Sequence, residues 1–265
     1  MSNRFESKIV IVTGAASGIG EKTAIKFANE GAKVVVADIN KETGNIVVEK
    51  IKTDNGEALF VETNVAEFIS VDNMVSQTLD TFGIPDVLIN NAGINVFGEP
   101  LNMPDSEWKK AFSVDLDGVW FGCKAVLPHM LKKNKGSIVN VASVHGIQII
   151  PNCFPYPVAK HGVIGLTKAL AVDYAAKGIK INSISPGYIE TPIIDRFFNT
   201  KPDPIAARKE AENHQPIKRM GTTDEIANTI MFMSSDECDY MIGANIVVDG
   251  GITLRMHENE DTGAG

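Results

Sequence analysis

The chain is expected to fold as an α/β protein, a doubly wound parallel sheet of about seven strands with helices on both faces, forming a single domain over residues 1–256. Three observations carry that expectation. Short β-branched runs alternate with longer amphipathic segments almost from end to end, the pattern of βαβ units. Most of the runs are continuously apolar, as strands are when helices cover both faces of a sheet. No linker, repeat or low-complexity stretch divides the 265 residues, a length that suits one large α/β domain.

The elements follow in order. Strands are expected at 8–13, around Ile9-Val10-Ile11-Val12, and at 33–38, around Val34-Val35-Val36. Leu59-Phe60-Val61 marks a third at 57–62, and Val87-Leu88-Ile89 a fourth at 86–90. Apolar runs at 137–141, 180–183 and 245–248 complete the set. Helical patterns lie near 19–30, 41–53, 67–82, 105–133, 157–177 and 223–235. Residues 190–215 interrupt the alternation with Pro192, Pro202 and Pro204 around a mixed Arg/Lys/Glu helical stretch. An insertion of that length reads as a lid over a site. The acidic tail, 257–265, reads as a flexible terminus.

Composition narrows the function classes. The net charge of −8 argues against nucleic acid as a partner. No stretch approaches the roughly 18 to 20 apolar residues of a membrane span, and the polar N-terminus leads into too short an apolar run for a signal peptide. Three cysteines without paired spacing favour a reducing, cytoplasmic setting. They form no zinc-ligand pattern, the five histidines are isolated, and no metal is expected.

Two motifs carry chemistry. Tyr156 and Lys160 stand four residues apart, so a helix opening there puts phenol and ammonium on one face. The ammonium is expected to pull the phenol down from its usual value of about 10, towards what reversible alcohol–carbonyl chemistry requires. Directly after the first strand comes Thr13-Gly14-Ala15-Ala16-Ser17-Gly18-Ile19-Gly20, at the start of a helical pattern. Such glycines allow a tight turn, close approach to a pyrophosphate and close helix–strand packing, while the helix N–H groups hold the anion. Asp38 closes the second strand, where a carboxylate can accept from the adenosine ribose hydroxyls and repel a 2′-phosphate. No cation stands at Ser17 or Ile39 to neutralise such a phosphate, so NAD is expected as cofactor. Asp38 can also cap the helix beginning near Lys41.

Residues 5 to about 255 resemble a short-chain dehydrogenase/reductase, a Rossmann-like fold, of the type with a Thr-Gly-x-x-x-Gly-x-Gly loop and a Tyr-x-x-x-Lys pair. Asn90-Asn91-Ala92-Gly93, Ser143, Asn182, Pro186-Gly187 and Asp249-Gly250-Gly251 extend the likeness. The resemblance implies Tyr156 as general acid/base, Lys160 lowering its pKa and binding the nicotinamide ribose, and Ser143 holding the substrate oxygen. A strand-end hydroxyl such as Ser143 can equally serve only a turn. The resemblance also implies cofactor contacts from Gly14, Ser17, Gly18, Ile19, Gly20, Asp38 and Ile39. Further contacts are implied from Asn64, Val65, Asn91, Ala92, Gly93, Pro186, Gly187 and Ile189, with Thr191 on the carboxamide. It departs at Asp115, where the family has Asn, and at Asn64, where an Asp commonly meets the adenine amino group. An added charge at Asp115 is expected to shift the pH optimum.

Substrate contacts are expected from Asn95, His145, Gln148, Asn152, Tyr188 and Glu190, polar loop residues that together suit a hydroxylated small molecule. The 185–192 segment and Arg208 resemble members acting on sugars, so a sugar-type hydroxyl is the leading substrate expectation. A 3-oxoacyl-thioester reductase is the alternative. A non-catalytic NAD-binding sensor would be expected to have lost Tyr156, Lys160 or Ser143, and all three are present. Trp108 and Trp120 read as core or subunit-interface aromatics, and the family likeness implies a homotetramer.

Overall fold

A computed structural model describes residues 3–254; the tail expected at 257–265 lies outside the described residues. The first half runs β1 (Ile9–Thr13), α1 (Gly18–Asn29), β2 (Lys33–Asp38), α2 (Lys41–Thr53), β3 (Glu57–Glu62), α3 (Phe68–Thr81) and β4 (Val87–Asn90). There follow β5 (Phe97–Gly98), α4 (Asp105–Phe112), α5 (Gly118–Lys133), β6 (Gly136–Val141), β7 (Phe154–Pro155) and α6 (Tyr156–Tyr174). The chain continues through β8 (Ile179–Pro186), α7 (Pro192–Asn199), α8 (Pro204–His214), α9 (Thr223–Ser234) and β9 (Asn245–Val248).

Seven strands form one parallel sheet in the order β3-β2-β1-β4-β6-β8-β9. The order reverses direction at β1 and β4, and a crevice opens beyond the carboxyl ends of strands at such a switch point. Alternate residues of each strand serve opposite layers. Val10 and Val12 join Val34, Val36 and Ile89 under α1, α2 and α9, where Phe27, Ile51 and Ile226 are fully buried. Ile11 joins Val35, Leu88, Ile138 and Ile181 against α3, α5 and α6 through Met74, Val126 and Met130. Each such side chain contributes about 1.5 to 3 kcal/mol on burial, so the unbroken apolar runs follow from a sheet covered on both faces.

A buried polar chain ties the central strands to α6. Asn90 Nδ2 donates to Asn140 Oδ1 at 2.9 Å, and Asn140 Nδ2 donates to Thr167 Oγ1 at 2.9 Å. Gly122 makes room for it, because a Cβ there would collide with Asn90 Oδ1.

Three expectations are corrected. The helix expected over 105–133 is two helices, α4 and α5, joined by a π-helical turn at Ser113–Asp117; a widened turn of this kind often marks a functional position. The helical stretch expected within 190–215 is also two helices, each with Pro in its first turn and a side-chain cap, Thr191 on α7 and Asp203 on α8. The cap of α2 is Asn40, which accepts from Thr43 N at 3.1 Å, rather than Asp38. The β5–β7 pair, two residues a side, is too short to leave a periodic signal.

Candidate active site

Above the carboxyl ends of the strands lies a crevice of about 2010 Å³, roughly twice the largest ordinary ligand pocket. It has room for a dinucleotide and a second small molecule together.

Its nucleotide half is built from backbone. Gly14 has φ +64° and Gly18 φ +58°, conformations that favour glycine. A Cβ at Gly14 would stand 2.7 Å from Ala92 Cα, so the loop and the Asn91-Ala92-Gly93 turn close on each other. Asn91 clamps them: its Nδ2 donates to Thr13 O and Gly14 O at 3.0 and 3.1 Å, while Thr13 Oγ1 accepts from the amides of Asn91 and Ala92. No side chain caps α1 at Ser17, which leaves its first-turn N–H groups open to an anion. Ser17, Gly18 and Ile19 line the crevice; Gly20 does not. A Cβ on Gly20 would strike the Gly14 carbonyl oxygen, so its place is in helix-to-strand packing.

Asp38 and Ile39 line the far end. Asp38 Oδ2 accepts from Ala16 N at 3.0 Å and Oδ1 from Asn40 N at 2.9 Å, which fixes the carboxylate and leaves lone pairs for hydroxyl donors. Asn64 and Val65 form an adjoining wall; Asn64 Oδ1 accepts from Ala66 N and its Nδ2 donates to Glu67, so its orientation is set. Pro186, Gly187, Ile189 and Thr191 close the opposite side. Thr191 stands against the glycine loop, 3.3 Å from where a Gly18 Cβ would lie. The donor set, the anion-ready helix end and the glycine cradle fit a nicotinamide dinucleotide, which when bound supplies the hydride acceptor or donor.

Ser143, Tyr156 and Lys160 come together at the crevice floor. Tyr156 opens α6, so the four-residue spacing does place Lys160 beneath it, with Nζ 5.4 Å from the ring centroid. Lys160 is 4% exposed and donates to Val141 O at 3.2 Å. Asp115 lies behind it, fully buried and outside the crevice lining, with Oδ1 3.8 Å from Lys160 Nζ and accepting from Ile94 N at 2.9 Å. A Cβ on Gly93 would stand 2.8 Å from Asp115 Oδ1 and 3.5 Å from Lys160 Nζ.

The electrostatics correct one expectation. The Tyr156 phenol is held above its ordinary value, because burial outweighs the Lys160 ammonium; Asp115 adds to the rise and Ser143 opposes it. Lys160 acts in the expected direction without winning. Burial also raises the Asp115 carboxyl, against Lys160 and the Ile94 amide. Its Oδ2 is enclosed without a partner. The shift moves the carboxyl towards its protonated form, which presents an O–H where asparagine presents an N–H.

The substrate half differs from expectation. Asn95, His145, Gln148 and Tyr188 line the crevice, whereas Asn152 and Glu190 do not. Asn152 is exposed with φ +63°, a turn position asparagine tolerates, and Glu190 is drawn to Arg208 at 3.1 Å. Gln148 is tied to Thr253 O at 2.8 Å. Sequence reasoning missed Phe97, Phe197, Ile149 and Ile150, all lining residues. Phe97 meets Tyr156 edge-on at 5.5 Å and Phe197 at 5.8 Å between centroids. Ile149 and Ile150 lie exposed in a loop, and an apolar run in a loop was the signal available.

Strand order, glycine cradle and the Ser-Tyr-Lys cluster together define a nucleotide-dependent oxidoreductase fold. A family model described as enoyl-(acyl carrier protein) reductase matches residues 14–253, and the chain belongs to the short-chain dehydrogenase/reductase family, whose members use nicotinamide cofactors and act on hydroxyl or carbonyl groups. It is 40% identical to the cyclohexanol dehydrogenase of an Acinetobacter species, over 96% of this chain and 98% of that one. It is 38% identical to the 3-oxoacyl-[acyl-carrier-protein] reductase of Thermotoga maritima, over 95% and 100%. Among solved structures, levodione reductase superposes with a TM-score of 0.91 at 36% identity, over 95% of this chain and all of that one. Among the described residues no helix is long and apolar enough to cross a membrane, and no His/Cys/Asp/Glu group could hold a metal ion.

Tyr156→Phe is expected to lower turnover by about 10²- to 10⁴-fold while dinucleotide binding, followed by NADH fluorescence, persists; an unchanged rate refutes the role. For Asp115 the sign follows from the raised folded-state value. Above the ordinary carboxyl value of 3.8 the unfolded chain loses its proton first, so wild-type stability relative to Asp115→Asn falls as pH rises from there to the folded value, then levels. Denaturant midpoints of both proteins across pH check this, and a gap independent of pH contradicts it.

Proposed function

We propose that this protein is an NAD(H)-dependent dehydrogenase/reductase that interconverts a secondary alcohol and a ketone on a compact, largely apolar ring. The observation that carries the reading is the wall around Tyr156, where Phe97, Phe197, Ile149 and Ile150 face the crevice. Burial against such side chains favours a ring of carbon over one covered in hydroxyls. The sugar-type expectation rested partly on Asn152 and Glu190, which face elsewhere, and on Gln148, whose amide is already engaged. The cyclohexanol dehydrogenase relative points the same way. NAD is favoured by the fixed Asp38 carboxylate, with the apolar Ile39 beside it and no cation at position 17 or 39 to receive a 2′-phosphate.

In this reading Tyr156 exchanges a proton with the substrate oxygen, Ser143 holds that oxygen as charge develops on it, and Lys160 favours the phenolate. Asp115 positions Lys160. The experiment is a panel on purified protein: cyclohexanol with NAD⁺ and with NADP⁺, aldoses with NAD⁺, and an acetoacetyl thioester with NADH. Cyclohexanol with NAD⁺ is expected to give the highest kcat/KM. Preferred turnover of an aldose returns the sugar reading, and preferred reduction of the thioester favours an acyl reductase.

The protein also presents apolar side chains suited to self-association. Trp120 on α5 and Val158 and Val172 on α6 are exposed, as are Tyr240 and Leu254 near β9. These two faces suit a homotetramer, expected in sedimentation as a species near four times the 28.6 kDa chain; a monomer at micromolar concentration counts against it.

A further inference from the structure

His145 stands beside the Tyr156 phenol, and among the described residues neither of its ring nitrogens has a hydrogen-bond partner. Its ring meets Tyr156 edge-on at 5.8 Å and lies 6.4 Å from Phe97, centroid to centroid. Nδ1 is enclosed and has no partner. Nε2 is not enclosed, and His145 lines the crevice. An enclosed lone pair without a donor is tolerated better than an enclosed N–H without an acceptor. The proton therefore belongs on Nε2, and burial keeps the ring neutral by lowering its pKa. The crevice thus receives an N–H donor beside the Phe97 and Tyr156 rings.

That donor is held in place by the fold. Ser143 Oγ accepts from His145 N at 3.1 Å, and Ser143 O accepts from Gly146 N at 2.8 Å, closing a 3₁₀ turn over Val144–Gly146. The turn packs onto α6 at Gly146, where a Cβ would stand 2.9 Å from Lys160 O. His145 is thus fixed relative to Ser143 and α6.

We propose that His145 Nε2–H binds a second oxygen on the substrate ring, so that the site selects rings bearing two oxygen functions over rings bearing one. The inference rests on the alicyclic reading above and narrows it. A ring without that oxygen leaves the N–H against carbon, and a site built around a hydrogen bond discriminates against a ligand that cannot make it.

The test measures ketone binding to the NADH complex of the Tyr156→Phe protein, where reduction is slowed by the expected factor of about 10² to 10⁴ and binding is read first. Cyclohexanone is compared with 1,2-, 1,3- and 1,4-cyclohexanedione through the fluorescence of bound NADH. At least one dione is expected to bind about tenfold more tightly than cyclohexanone. That ratio is expected to fall to near one with His145→Phe. It should persist with His145→Gln, whose amide nitrogen takes the place of Nε2, and be lost with His145→Asn, whose amide takes the place of Nδ1. Equal affinity for all four ketones overturns the inference and leaves the alicyclic reading standing, as does a ratio that survives His145→Phe. Failure of all four to bind overturns both.

Discussion

The burial of the Lys160 ammonium is the constraint on which the site depends. A cation this enclosed costs several kcal/mol to desolvate unless its protons find acceptors. Val141 O, at the end of β6, accepts from it, and Asp115, in the π-helical turn, stands 3.8 Å away as its ion-pair partner. The ion pair makes a further demand. Asp115 sits in the widened turn between α4 and α5, and its carboxylate fits only because position 93 has no Cβ. One charge thus couples β6, α6, the helix junction and the turn after β4, and Tyr156 is placed as the residue that opens the same helix.

The nucleotide half rests on a different economy of contacts. Its polar groups are mostly main-chain atoms, aligned by Thr13 and Asn91 across the adjacent strands β1 and β4. Because those strands lie side bonded to side with opposite onward directions, the two loops after them face each other across the crevice mouth. Side-chain identity matters there chiefly where a Cβ must be missing, at Gly14 and Gly20, or where a charge must be fixed, at Asp38.

This division explains what was legible in the sequence. The seven strands and the glycine loop were readable because apolar runs and positive-φ glycines are local signals. The Tyr156–Lys160 pair was readable because a four-residue spacing becomes an adjacency as soon as a helix forms. The break at 113–117 was hidden, since a π-helical turn changes hydrogen bonding without changing amphipathic spacing enough to register. The direction of the Tyr156 shift was hidden too: the ammonium is visible in sequence, while the enclosing volume that opposes it exists only after folding. Phe97 on β5, Phe197 on α7 and the Ile149–Ile150 loop line one crevice from segments separated by tens of residues, and no periodicity links them.

The same reasoning accounts for where specificity resides. The proton handling proposed above falls to residues on α6 and just after β6, elements locked into the sheet by the Asn90–Asn140–Thr167 chain. The substrate selection proposed above falls to the turn after β6 and the helices after β8, which the sheet constrains less. Ser143 joins the two. Its hydroxyl stands beside Tyr156 and also accepts from the His145 amide, so the group proposed to hold the reacting oxygen also sets the backbone of the residue proposed to read the second one. A substrate that displaced Ser143 would move His145 with it, and recognition and chemistry would fail together.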